Sequence, residues 1–102
     1  MILYNVTLNV DPLINEEWLI WMKEIHIPEV MATNKFISYS FYKIQNHNLE
    51  DNSLNYSVQY HANTLEDFKD YETNYAPALK RKTIEKYGEK ILAFRTILEK
   101  IN

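Results

Sequence analysis

FISYSFYKIQNHNLEDNSLNYSVQYHA, residues 36–62, holds two alternating runs joined by a polar connection. In the first run, Phe36–Ile44, the residues Ile37, Tyr39 and Phe41 fall on one face, and Ser38, Ser40 and Tyr42 on the other, ending in Ile44. In the second, Leu54–Ala62, Leu54, Tyr56, Val58 and Tyr60 oppose Asn55, Ser57, Gln59 and His61. A period of two is the mark of a half-buried strand. The Asn- and Asp-rich link, QNHNLEDNS, carries turn chemistry, so the two runs form a hairpin.

A helix flanks this hairpin on each side. Upstream, ILYNVTLNV at residues 2–10 alternates Ile2, Tyr4, Val6, Leu8 and Val10 with Leu3, Asn5, Thr7 and Asn9. It is a first strand, ended by Asp11 and Pro12. Asn15 is placed to cap the following helix, with Glu16 and Glu17 in its first turn, where acids suit the helix dipole. Trp18, Trp21, Met22 and Ile25 recur at helical spacing and form its expected buried stripe. Pro28 supplies no N–H, so this helix should kink or restart near His26. Downstream, Thr64 caps a second helix carrying Phe68, Tyr71, Tyr75 and Leu79, which Pro77 should interrupt. Gly88 is suited to the C-cap. KILAFRTILEKI, residues 90–101, is a fourth strand.

The order β-α-β-β-α-β defines an α+β, ferredoxin-like domain: a four-stranded antiparallel sheet with two helices on one face. Right-handed crossovers put the first and third strands in the middle. At 102 residues the chain is one domain, residues 1–102.

The uncovered face should carry Asn5, Thr7, Asn9, Ser38, Ser40, Asn55, Ser57, Gln59 and His61. Arg95 is expected to join it from the fourth strand, between Ala93 and Ile97. Such a face is either solvated or closed by sheet-on-sheet dimerisation, in which case Leu3, Tyr42, Ile44 and Ile97 would rim it. An arginine inside such a seam would need a partner acid, a bound anion or water.

Composition removes several function classes. The formal charge of −3 gives no basic excess for nucleic acid. KRK at Lys80–Lys82 lies among Glu72, Glu85 and Glu89 and reads as a solvated helix face. With no cysteine there are no disulfides, thiolate ligands or cysteine nucleophiles, which fits a cytoplasmic setting. No apolar run is long enough to span a bilayer, and the N-terminus lacks the pattern of a signal peptide. The three histidines, His26, His47 and His61, lack zinc spacing, and one glycine cannot make a phosphate loop. No metal or cofactor is expected. His47, in the polar connection, reads as solvated.

Two places stand out for a ligand. One is the helix side, where His26 lies beside Met22 near the proline, with Trp18, Trp21, Tyr4 and Tyr56 for walls. A histidine there can serve as acid or base, or simply bond a nearby carbonyl. The other is the polar sheet face around Gln59, His61 and Arg95.

YNVTLNVD, WLIWMKEIHIPEVMAT, YSVQYHA, YAPALK and AFRTILE together resemble, in order and over nearly the whole chain, a family of small uncharacterised bacterial proteins. The family is a domain of unknown function within the dimeric α/β-barrel, ferredoxin-like superfamily. The resemblance implies a sheet-packed homodimer and supplies no activity. One departure is Asn34, where a glycine is expected; asparagine tolerates the left-handed backbone of a helix end. Other superfamily members are cofactor-independent monooxygenases, muconolactone-type isomerases, sugar mutarotases and haem-dependent enzymes. Such members often hold ligands between sheet and helices, some with a first-helix histidine.

Two functional readings follow. One is a homodimeric module binding a small hydrophobic molecule or a protein. The other is a small metal-independent enzyme acting on a hydrophobic or cyclic metabolite, with His26 as acid or base.

Overall fold

The computed structural model describes residues 1–45 and 54–102. The turn of the hairpin and His47 fall outside the described residues. Strand β1 spans Ile2–Val10, β2 Ser38–Lys43, β3 Leu54–Ala62 and β4 Ile91–Glu99. They form one antiparallel sheet in the order β2-β3-β1-β4. The hairpin strands pair with Phe41 opposite Val58, and β1 sits centrally with Val6 between Val58 and Arg95. The β1–β4 register is pinned at both ends: Asp11 N–H donates to the Lys90 carbonyl, and Lys100 N–H to that of Met1.

Alternate residues of the central strands (Tyr4, Leu8 and Val10; Tyr56, Val58 and Tyr60) are buried beneath both helical segments. Tyr4, Phe36, Tyr60, Phe68 and Tyr71 pack ring against ring at one end of this underside. Trp18, Phe41 and Tyr56 pack at the other. Eight of the twenty buried core residues among those described are aromatic, and each large ring can bury ~150–250 Å². Between the clusters stand only Val6, Val58 and Ala93.

The first helical segment starts one turn earlier than expected. Asp11, not Asn15, caps it: its carboxylate accepts from Leu13 N–H across the short turn Pro12–Ile14. Asn15 is already helical, and its side chain accepts the Tyr56 hydroxyl at 2.5 Å. Helix α1 covers Asn15–Trp21 and α2 covers Ile27–Met31, with Met22–His26 forming one widened turn between them. In that turn Ile27 N–H donates to the Met22 carbonyl, five residues back. The helix restarts as α2 at Ile27, next to His26, and the chain passes Pro28 by admitting an extra residue, which relieves the ring's clash with the preceding turn.

The extra residue changes the buried face. Trp18 and Met22 point inward as expected, but Ile25 is 46 % exposed and Ile27 only 1 %. Thr33 and Asn34 close the segment, with Asn34 at φ 63°.

The second segment is as read. Thr64 Oγ1 accepts from Asp67 N–H, α3 spans Leu65–Asn74, and α4 restarts at Ala76–Tyr87 with Pro77 in its first turn. Lys35–Asp70 and Lys82–Glu29 ion pairs tie the two segments together at 2.7 and 2.8 Å.

The changed face is directly testable. Ile27→Ala should cost about 2–4 kcal/mol of unfolding free energy, as for other buried aliphatics. Ile25→Ala should cost no more than about 0.5 kcal/mol. Denaturant melts of the two variants check this; equal losses would contradict the widened turn.

Candidate functional site

The gap left by the small central residues is a cavity of about 270 Å³ between sheet and helices. Val6, Leu8, Val58, Ile91 and Ala93 form its sheet wall. Trp18, Met22, His26 and Val30 border it from the first helical segment, and Leu79, Lys80, Thr83 and Ile84 from α4. Exposed Ile84, Gly88 and Arg95 mark its mouth.

His26 reaches this wall because of the widened turn. It lies flat against the Trp21 indole, with centroids 5.0 Å apart and planes inclined by 23°. Trp21 is in turn held edge-on by Tyr87. Burial lowers the His26 pKa to about 4, with Arg95 and Lys82 pushing the same way and Glu29 opposing. The imidazole is therefore neutral at pH 7, with one nitrogen free to accept a proton. No side-chain hydrogen bond holds it among the described residues. It does not act as a cap on a helix carbonyl.

Arg95 does not lie on the outer sheet face. Its register partner is Val6, so it shares the cavity side with Ala93 and Ile97. Its Nε donates to the Tyr4 hydroxyl at 3.1 Å. Burial raises the Tyr4 pKa, against the pull of Arg95, so the phenol stays protonated. Ile97 is not part of the outer rim for the same reason. Leu92, Phe94, Thr96 and Leu98 take the outward positions instead.

Of the residues singled out from sequence, Tyr4, Trp18, Met22, His26 and Arg95 meet at the cavity. Trp21 stands behind His26 rather than in the wall. Tyr56 is committed to Asn15 and to Trp18 packing. Gln59 and His61 do lie on the outer face. Lys80, read as part of a solvated basic run, borders the mouth, while Arg81 and Lys82 are exposed. Thr83 and Gly88 were missed; only the three-residue spacing of Lys80 and Thr83 on one helix face hinted at a shared surface. The Trp18 indole N–H has no hydrogen-bond partner among the described residues. Among those residues there is also no group of three or more His, Cys, Asp or Glu able to hold a metal ion, and no helix long and apolar enough to cross a membrane.

The fold and site define an α+β domain with an apolar cavity beneath its sheet. The chain belongs to the DUF4286 family, a domain of unknown function, which matches residues 1–101. Its fold is similar to that of an ethyl tert-butyl ether d (EthD) family protein from Bacillus halodurans. The TM-score is 0.70 at 14% identity, covering 99% of this chain and 100% of that one. No curated protein matches the sequence.

The buried imidazole makes stability depend on pH. Unfolded His26 takes a proton near 6.5 and folded His26 near 4, so its contribution is complete above pH 6.5 and is lost as pH falls towards 4. The loss amounts to at most about 3 kcal/mol. In His26→Gln the decline in melting temperature across that window should be shallower than in the parent; parallel profiles would contradict a buried neutral imidazole.

Proposed function

We propose that the chain is a homodimeric module that binds a small hydrophobic molecule in the cavity between sheet and helices. The cavity itself carries this reading. Its walls are mainly aliphatic and aromatic, with a few polar groups at one end, the composition of small-molecule sites. Its volume lies below most drug-sized pockets and above the ~150 Å³ that accepts benzene, which points to a ligand of one or two rings.

The widened turn adds weight, because such turns are frequent at functional sites. The strand order and the paired helical segments support assignment to the ferredoxin-like, dimeric α/β-barrel group, as does the similarity to the EthD family protein. The absence of cysteine fits a cytoplasmic location.

The outer sheet face supports the dimer. Its polar centre satisfies itself: Asn9 donates to Asn55, Ser57 to Asn5, and Asn5 to Thr7. Groups already paired lose less on burial than solvated ones. With Arg95 on the other side, no charge from β4 has to enter the seam. Phe94, 64 % exposed, and Leu92, 56 %, form an apolar flank along β4, and Tyr42 lies on the same face at the opposite edge, on β2. An exposed apolar strip on a small domain marks an interaction surface.

A second reading rests on His26. A neutral imidazole in an apolar wall can remove a proton from a weakly acidic C–H of a bound ketone and return it. This is the metal-independent enzyme reading, and it uses the same cavity.

Indole, as a neutral probe, should raise the melting temperature and shift the methyl resonances of Val58 and Leu79. Thr83→Trp, which blocks the mouth from a half-buried helix position, should abolish both effects. No response from the parent chain would refute the cavity reading. Light scattering should give twice the mass of one chain, and Phe94→Glu should halve it. For the second reading, deuterium exchange at the α-carbon of 2-tetralone should be accelerated by the parent and not by His26→Gln.

A further inference from the structure

The cavity is charged at one end only. Val58, Val6 and Arg95 lie in register across β3, β1 and β4, so the guanidinium closes an otherwise aliphatic row. Arg95 spends its Nε on Tyr4. The two ion pairs among the described residues lie elsewhere, at Lys35–Asp70 and Lys82–Glu29. The carboxylates that act on the site through space, Glu72 toward Tyr4 and Glu29 toward His26, make no bond to Arg95. Its two terminal nitrogens are thus left without a protein acceptor among the described residues.

Tyr4 is complementary. Its oxygen accepts from Arg95, so its hydroxyl hydrogen is free to donate. Lys80 adds a second positive charge at the same mouth, from α4. All three line the cavity, and among the described residues no protein acceptor bonds the remaining donors of Arg95, Tyr4 or Lys80.

We propose that the cavity takes a small cyclic carboxylic acid as its anion, with the carboxylate on Arg95 and Tyr4 and the ring between Val58 and Leu79. This rests on the cavity reading above and names its ligand class. A planar guanidinium matches the two oxygens of a carboxylate. The anion also satisfies Arg95 without a protein acid, so the free protein keeps an open, water-accessible cation at the entrance.

Three probes of one shape test this by calorimetry: 2-naphthoate, 2-naphthalenemethanol and 2-naphthylmethylamine, the last a cation. Naphthoate should bind the parent chain at least about tenfold more tightly than the alcohol, the scale of a charge-assisted hydrogen bond. The amine should bind more weakly still. Arg95→Gln should bring naphthoate down to the level of the alcohol and leave the alcohol unchanged. Equal binding of naphthoate and alcohol by the parent would overturn the carboxylate and leave the cavity standing. Equal weakening of both by Arg95→Gln would also overturn it, since the arginine would then act only on the wall. Failure of all three probes would remove the cavity reading itself.

Discussion

The bond from Ile27 N–H to the Met22 carbonyl decides which face the first helical segment turns to the sheet. Pro28 brings no N–H and crowds the turn before it, and the chain answers by widening that turn rather than breaking. Ile25 leaves the core, Ile27 enters it, and His26 comes round to the cavity wall with Trp21 as its backing. Both the stability of the segment and the chemistry of its histidine follow from one missing hydrogen.

The sheet supplies the other half of the site. Its underside is aromatic at both ends and aliphatic in the middle, so the helices rest on rings and bridge a gap over Val6, Val58 and Ala93. Close packing is the rule in protein interiors, and a space of about 270 Å³ beneath a sheet is far larger than packing defects usually are. The gap is asymmetric in charge because β4 contributes Arg95 to it. The same alternation sends Leu92, Phe94 and Leu98 outward, where they leave an apolar flank on a face whose centre is a paired polar ladder. One strand phase therefore sets both the polarity of the cavity mouth and the surface proposed for the partner copy.

Much of this was legible in the residues. The alternation of β1 and β3 gave their buried faces directly, and Thr64, Pro77, Gly88 and Asn34 marked the helix boundaries where the backbone has them. Three readings differ from the fold for physical reasons. Asn15 suits an N-cap, but Asp11, ahead of Pro12, supplies it one turn earlier. The stripe Trp18, Trp21, Met22, Ile25 assumed an unbroken period of 3.6 residues, and the widened turn adds a residue before the last member. Arg95, between Ala93 and Ile97, is expected on the outer face. In the fold, register with β1 sets these three opposite Val6, Leu8 and Tyr4, on the cavity side, and leaves Leu92, Phe94 and Leu98 outside. Lys80 was hidden within a run of like charges, where only the tertiary neighbours distinguish a half-buried amine from a solvated one.

The neutral state of His26 links the widened turn, the cavity wall and the proposed chemistry. Its titration by NMR, following the imidazole carbon-bound protons with His26→Gln to assign them, is the most direct test. A protonation midpoint of about 4 is predicted. A midpoint near 6.5, the value of an exposed histidine, would contradict the account.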